Sequence, residues 1–254
     1  MDKNLLVKII GFPATLIHGD TCVLDRWRWL KERLPETKEP IKLIDIGCGT
    51  GAFTIGLARR GYQTLGLSWD ERNQNEAQVR AQLCSAPLAK FDIQDVRTLD
   101  VRKEYYGQFD IAICLECIEH ILNDQKLITD IAACLKPGGK LLLTTPNFDY
   151  IPIDKDDEGP FHTTETGWHV RKGYTKADFQ RLCNNAGLAI QEVSYTSGYA
   201  SQKISGVWRK LNNVNPLVSF ALTLPLRLIP LTSQPTLDDK GYPGYSICMV
   251  AVKK

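Results

Sequence analysis

Asp45, Gly47, Gly49 and Gly51 lie within one stretch, Leu43-Ile44-Asp45-Ile46-Gly47-Cys48-Gly49-Thr50-Gly51-Ala52-Phe53. Positions without a side chain let a ligand lie against bare backbone. The N–H groups opening a following helix favour a negatively charged group. A carboxylate two residues before the first glycine suits an ammonium group and would sit badly beside a pyrophosphate. Gly47, Gly49 and Ala52 also match G-x-G-x-x-G/A, the dinucleotide pattern. Two ligand classes therefore stand on these residues alone. Proton transfer near neutral pH falls to four histidines, His18, His120, His162 and His169. They show no H-x-x-x-H spacing with acids, so no metal is expected.

These residues need elements to place them. Leu43 to Ile46 is a short apolar run without polar alternation, as in a strand buried on both faces. Strand, glycine loop and helix form the opening unit of a nucleotide-binding α/β domain. Further strands are expected at Thr64–Ser68, Leu88–Ile93, Phe109 onward, Leu141–Thr145, Leu188–Thr196 and Tyr245–Val252. The first 19 residues read as a poorly periodic lead-in. A helix follows, capped by Asp20 or Thr21 and ending before Pro35, with Val23, Trp27, Leu30 and Leu34 on one face. His18, Arg26 and Trp29 lie off that stripe and read as solvated face or pocket lining. Thr175 and Asp178 make a capping box for a helix ending at Gly187. The expected division is a helical cap at 1–39, a core at 40–147, a substrate-side insertion at 148–174, a core helix and strand at 175–196, an apolar helical insertion at 197–244 and a last strand at 245–254.

The stretch D-I-G-C-G-T-G resembles motif I of class I S-adenosylmethionine-dependent methyltransferases. Phe109 to Leu115 followed by Glu119-His120, which would begin the next helix, resembles their motif IV. Leu135-Lys136-Pro137-Gly138-Gly139-Lys140, with Pro146-Asn147 after it, resembles their fifth-strand signature. His169-Val170-Arg171 with Tyr174-Thr175 is similar to their substrate-side segment. The resemblance covers residues 40–196 and 245–254. It implies an α/β, doubly wound Rossmann-like fold: a seven-stranded, mostly parallel sheet with an antiparallel last strand and a helical lid insertion. It further implies S-adenosyl-L-methionine as cofactor. Asp45, Gly47, Cys48, Gly49 and Gly51 would hold the methionine half. The family's ribose-binding acid falls at Ser68-Trp69 here, with Asp70 beyond, a departure shared with cyclopropane-fatty-acid-synthase-like enzymes. Ser68 or Asp70 would take the ribose, and Trp69 would stack on adenine or pack. Asp95 and Val96 would read the adenine edge, with Asp92 a competitor. Leu115 would touch the cofactor through its backbone. His120 and His169 would be the catalytic pair, as base or acceptor-orienting groups.

The chain has 254 residues, 31 Lys plus Arg against 29 Asp plus Glu, and a net charge of +2. So balanced a charge excludes a strong field for nucleic acid. Eight cysteines include one C-x-x-C, Cys114 and Cys117, without the second pair a zinc site needs. Small buried thiols in a reducing cytoplasm are expected. Asp154 to Glu158 reads as a solvated acidic loop or a metal loop. The leading function is methyl transfer to O, N or C of a small, largely apolar acceptor, quinone-like or a secondary metabolite. The alternatives are a lipid-modifying methyltransferase at a membrane surface, an NAD(P)-dependent oxidoreductase, and a non-catalytic cofactor-binding module. Residues 207–230 are expected to form a lid, a dimer contact or a membrane-surface patch.

Overall fold

The computed structural model describes residues 4–17, 22–226 and 242–254. His18, the cap expected at Asp20 or Thr21, and the end of the 197–244 insertion lie outside the described residues. Helices α1 (Leu5–Ile10), α2 (Pro13–Ile17) and α3 (Val23–Arg33) precede β1 (Lys42–Ile46). Then come α4 (Ala52–Ala58), β2 (Gln63–Ser68), α5 (Glu71–Leu83), β3 (Ala89–Ile93) and β4 (Phe109–Leu115). The chain continues through α6 (Asp124–Cys134), β5 (Leu135–Pro146), α7 (Lys176–Asn185) and β6 (Leu188–Thr196). It ends with α8 (Tyr199–Asn212), α9 (Pro216–Thr223) and β7 (Ser246–Lys253).

The sheet runs β3-β2-β1-β4-β5-β7-β6. β1 pairs in parallel with both β2 and β4, so the strand order reverses there. Helices leave such a point on opposite faces and open a crevice beyond the strand ends. β7 runs antiparallel to β5 and to β6. The expected fold class is the one observed: α/β, doubly wound, seven strands, antiparallel last strand.

Strand residues alternate between two cores, as the pleat requires. Ile44 and Ile46 of β1 join Ala112 and Cys114 of β4 under Ile128 and Phe179. Leu43, Ile111, Ile113 and Leu115 face the opposite way, toward Trp27 and Leu30 of α3. Both faces of the sheet are therefore covered, which is why β1 reads as continuous apolar sequence. Phe12 and Trp27 meet edge to face, with ring centroids 5.3 Å apart. They seat against Gly56 of α4, where a Cβ would approach the Trp27 ring at 2.6 Å.

Four local expectations change. The lead-in is helical, as α1 and α2. Helix α3 is buried almost all round, with Asp25, Arg26 and Trp29 all under 9% exposed, so no solvated face carries Arg26 or Trp29. Glu119 and His120 do not open a long helix but sit on a one-turn helix, Ile118–His120, before α6. β5 begins at Leu135, taking in the turn with Gly138 at φ 76°. The capping box stands as expected, with Thr175 Oγ1 accepting from Asp178 N at 3.2 Å and Asp178 accepting from Thr175 N at 3.0 Å.

Candidate active site

The crevice at the reversal between β1 and β4 holds a cleft of about 370 Å³. Its floor is the turn after β1. Gly47, Gly49 and Gly51 have φ of 79°, 53° and 79°, which residues with a Cβ rarely adopt. Gly47 N and Cys48 N both donate to Leu67 O, at 3.0 and 2.9 Å, pinning the turn to β2. Gly47 is packed so closely that a Cβ would meet Cys117 Sγ at 2.6 Å, whereas Gly49 faces open space. Gly47 and Gly49 line the cleft. Cys48, Gly51 and Leu115 are buried next to it and are not among its walls.

Asp45 stands apart from its expected place. It is 2% exposed and absent from the cleft wall. Its Oδ2 accepts from Thr54 Oγ1 at 2.6 Å. Burial pushes its carboxyl up to about 7, against the lowering effect of Thr54. This bond ties β1 to α4 beneath the loop.

The far wall comes from the ends of β2 and β3. Ser68 and Trp69 line it, with Trp69 65% exposed and its ring unpacked. Asp70 caps α5, accepting from Arg72 N at 2.8 Å, and stays outside the cleft. Of the two ribose candidates, Ser68 is the one at the cleft. Asp95 and Val96 line it too. Asp92 is engaged elsewhere by Arg102 and Tyr105, at 2.7 and 2.8 Å. Arg97 bridges Asp95 to Glu165 at 3.0 Å, and Glu165 accepts from Leu122 N at 2.6 Å. The 165–167 segment of the insertion thus forms the third wall.

A second chamber of about 830 Å³ adjoins the first. The two share Glu116 and His120 as common wall. Glu116 has φ 49°, an unusual conformation for a non-glycine residue, and accepts from Thr144 Oγ1 at 2.9 Å and Ser246 Oγ at 3.0 Å. Arg26 lies 3.6 Å from its other oxygen. On the far side, Arg209 of α8 is held by Asp154 and Asp157, at 3.1 and 2.8 Å. The acidic loop is therefore an arginine clamp. The chamber is lined mostly by charged and aromatic groups.

His120 and His169 come together, ring centroids 4.8 Å apart and nearly perpendicular. The insertion is zipped to the turn after β4: Val170 N donates to Glu119 O at 3.0 Å, and Arg171 donates to Ile121 O and Leu122 O at 2.6 and 2.9 Å. Burial lowers both histidines below their ordinary value, His169 to about 4 with His120 adding to the effect. Burial likewise drives the Glu119 carboxyl well up, helped by the charge of Glu116. Glu119 accepts from Thr145 Oγ1 at 3.1 Å, while its Oε1 has no hydrogen-bond partner among the described residues. One atom each from Glu119, His120 and His169 lie within 4.8 Å of one another, a donor set able to hold a divalent cation. Spacing along the chain had given no hint of a metal, because the fold supplies the third donor.

Sequence reasoning missed Glu116, Glu119 and Arg209, while Arg26, one of the expected pocket-lining candidates, is in the chamber wall. Glu116 and Glu119 were readable in the run Leu115-Glu116-Cys117-Ile118-Glu119-His120, which puts two acids and a histidine on one turn. Arg209 carries no local signal; only the fold brings it in.

A family model described as a methyltransferase domain matches residues 21–193. A ubiquinone biosynthesis O-methyltransferase of Chromobacterium violaceum is 27% identical over 157 residues, 60% of this chain and 66% of that protein. One from Acinetobacter baylyi is 31% identical over 106 residues, 42% of this chain and 44% of its own. The chain thus spans less than two thirds of the length of these relatives. An S-adenosylmethionine-dependent methyltransferase structure from Mesorhizobium loti superposes with a TM-score of 0.58 at 18% identity, covering 93% of this chain and all of that one; this likeness shows the fold. With the family model spanning the glycine turn, the β4 turn and the histidine-bearing insertion, the chain belongs to the methyltransferase-domain family, in its class I S-adenosylmethionine-dependent group.

Proposed function

We propose that the protein moves the methyl group of S-adenosylmethionine to a small molecule held in the larger chamber. The observation that carries this reading is the pair of chambers meeting at Glu116 and His120. The smaller one fits the cofactor: a bare-backbone turn at Gly47 and Gly49 for the methionine half, Ser68 for the ribose, the open Trp69 ring for stacking, and Asp95 with Val96 for the adenine edge. Asp45 and Cys48 support the turn from behind.

The cofactor supplies a methyl group already activated on a sulfonium. What remains for the chain is to hold the acceptor in line at near-attack distance, exclude water, and receive a proton. His120, neutral because it is buried and present in both chambers, takes the proton of a hydroxyl acceptor. His169 orients it through the perpendicular ring contact. The curated relatives are named for O-methylation in ubiquinone biosynthesis, which favours an oxygen acceptor on a ring here too. The charged chamber wall favours an acceptor with polar substituents near the reacting oxygen. A second reading of the same cluster rests on Glu119 Oε1, which has no hydrogen bond among the described residues: a divalent cation at Glu119, His120 and His169 would bind the acceptor oxygen. All eight cysteines are unpaired, which supports a reducing compartment such as the cytoplasm.

The test is calorimetric titration with S-adenosylhomocysteine and with NADP, followed by labelled-methyl transfer to a panel of hydroxylated ring compounds. Tight binding of NADP without S-adenosylhomocysteine binding would overturn the reading. Loss of transfer on adding a chelator, restored by a divalent cation, would select the cation form of the mechanism.

A further inference from the structure

The segment between β6 and β7 carries an unusual charge pattern. No Asp or Glu occurs between Glu192 and Asp238, although the whole chain has 29. The same segment holds Lys203, Arg209, Lys210 and Arg227. An acid-free, basic stretch of this length meets no repulsion from a negatively charged surface.

Its described part is also built inside out. Val214, Val218, Leu222 and Leu226 recur every fourth residue and are 84%, 47%, 58% and 38% exposed. Between them, Ser219 and Thr223 of α9 are fully buried. Their hydroxyls turn to backbone carbonyls, Ser219 Oγ to Trp208 O at 3.0 Å and Thr223 Oγ1 to Ser219 O at 2.7 Å. Val218 and Leu222 lie on α9 and Val214 and Leu226 flank it, so these apolar side chains point outward, where a helix on a water-facing surface turns its apolar side inward. On α8, Val207 is 44% exposed, and Lys203 and Lys210 are exposed beside it. Lys203 Nζ lies over the Tyr199 and Tyr242 rings at 5.3 and 5.4 Å. Apolar residues, lysines and tyrosine at one surface, with acids absent, are the composition of a helix lying in a lipid headgroup region. No described helix is long and apolar enough to cross a membrane.

We infer that the α8–α9 face docks on an anionic lipid bilayer. Apolar side chains of α9 enter the acyl boundary while Lys203 and Lys210 meet lipid phosphates. The arrangement has a use for the site. Arg209, on the same helix as those lysines, is part of the acceptor-chamber wall. A docked molecule would hold that chamber beside the bilayer, where a poorly water-soluble acceptor dissolves. The docking itself does not rest on the proposed reaction.

The experiment is co-sedimentation of the full chain with vesicles of phosphatidylcholine alone and of equal parts phosphatidylcholine and phosphatidylglycerol. Binding at least roughly tenfold stronger to the anionic vesicles, weakening as salt is raised, is expected. The double variant Val218→Asp with Leu222→Asp, and separately Lys203→Glu with Lys210→Glu, should each lose roughly tenfold or more in vesicle binding. Both should bind S-adenosylhomocysteine like the parent, which shows that they fold. Equal pelleting with both vesicle types, no pelleting, or unchanged binding by both variants would overturn the inference. So would a parent dimer that the apolar variant converts to monomer without any vesicle binding, which assigns the face to a second copy of the chain.

Discussion

At the scale of single residues, the cleft rests on Gly49 more than on Asp45. Gly49 combines φ 53° with open space on the side a Cβ would take. Gly49→Ala should lose about 1 kcal/mol of stability through backbone strain. It should also weaken S-adenosylhomocysteine binding by roughly tenfold, because the added methyl projects toward the ligand. Calorimetry on the folded variant measures this; an unchanged affinity would move the cofactor off the turn. His120→Asn should cut turnover by roughly 10²-fold while cofactor affinity stays within a few-fold of the parent. With the imidazole held below its ordinary 6.5, kcat/KM should be flat above that pH and fall only as His120 gains a proton below it. A rate that rises on acidification would remove His120 as base. The glycines were readable in the sequence because no other residue suits such a turn. The burial of Asp45 was not readable, because spacing reveals that a carboxylate ends the strand, not which way it points. Thr54, which holds it, lies a helical turn beyond the glycines.

At the scale of elements, the central strands β1 and β4 were legible because they are mostly apolar runs ended by a turn, and the capping box at Thr175 was legible as a local pattern. The N-terminal helices were not. α1 and α2 have five or six residues each, too few to show a period. They are stable because Phe12 and Trp27 dock into the notch at Gly56. Gly56→Ala should therefore cost about 1–3 kcal/mol by forcing a methyl against the Trp27 ring, despite alanine's better helix propensity. A lowered denaturation midpoint with unchanged strand content in circular dichroism is the expected signature. A more stable variant would show that propensity dominates and the notch is loose. The His169 segment likewise becomes part of the site only through its backbone bonds to the turn after β4, contacts between distant positions that no window of sequence contains.

At the scale of the molecule, buried carboxyls set how stability depends on pH. Asp45 keeps its proton to about 7 in the folded chain, against 3.8 for an ordinary aspartate. Between those values the folded state binds more protons than the unfolded one, so this group's contribution is complete below 3.8 and is lost as pH rises toward 7. Glu119, also raised by burial, acts in the same direction. Asp45→Asn should match the parent at low pH and exceed it at pH 8 by up to about 4 kcal/mol, an upper bound from the linkage relation. Denaturant melts at the two pH values measure it; parallel curves would mean the carboxyl is ionised in the fold. The fit between Gly47 and Cys117 carries a consequence for descent. A methyl at position 47 would strike the sulfur at 2.6 Å and the Cys117 Cβ at 3.0 Å. Alanine at 47 is easier to accept where the side chain at 117 is smaller, since the two turns then no longer crowd each other. Gly47→Ala should be more harmful in the parent than in a Cys117→Gly background, a coupling that a double-mutant cycle of denaturation midpoints measures.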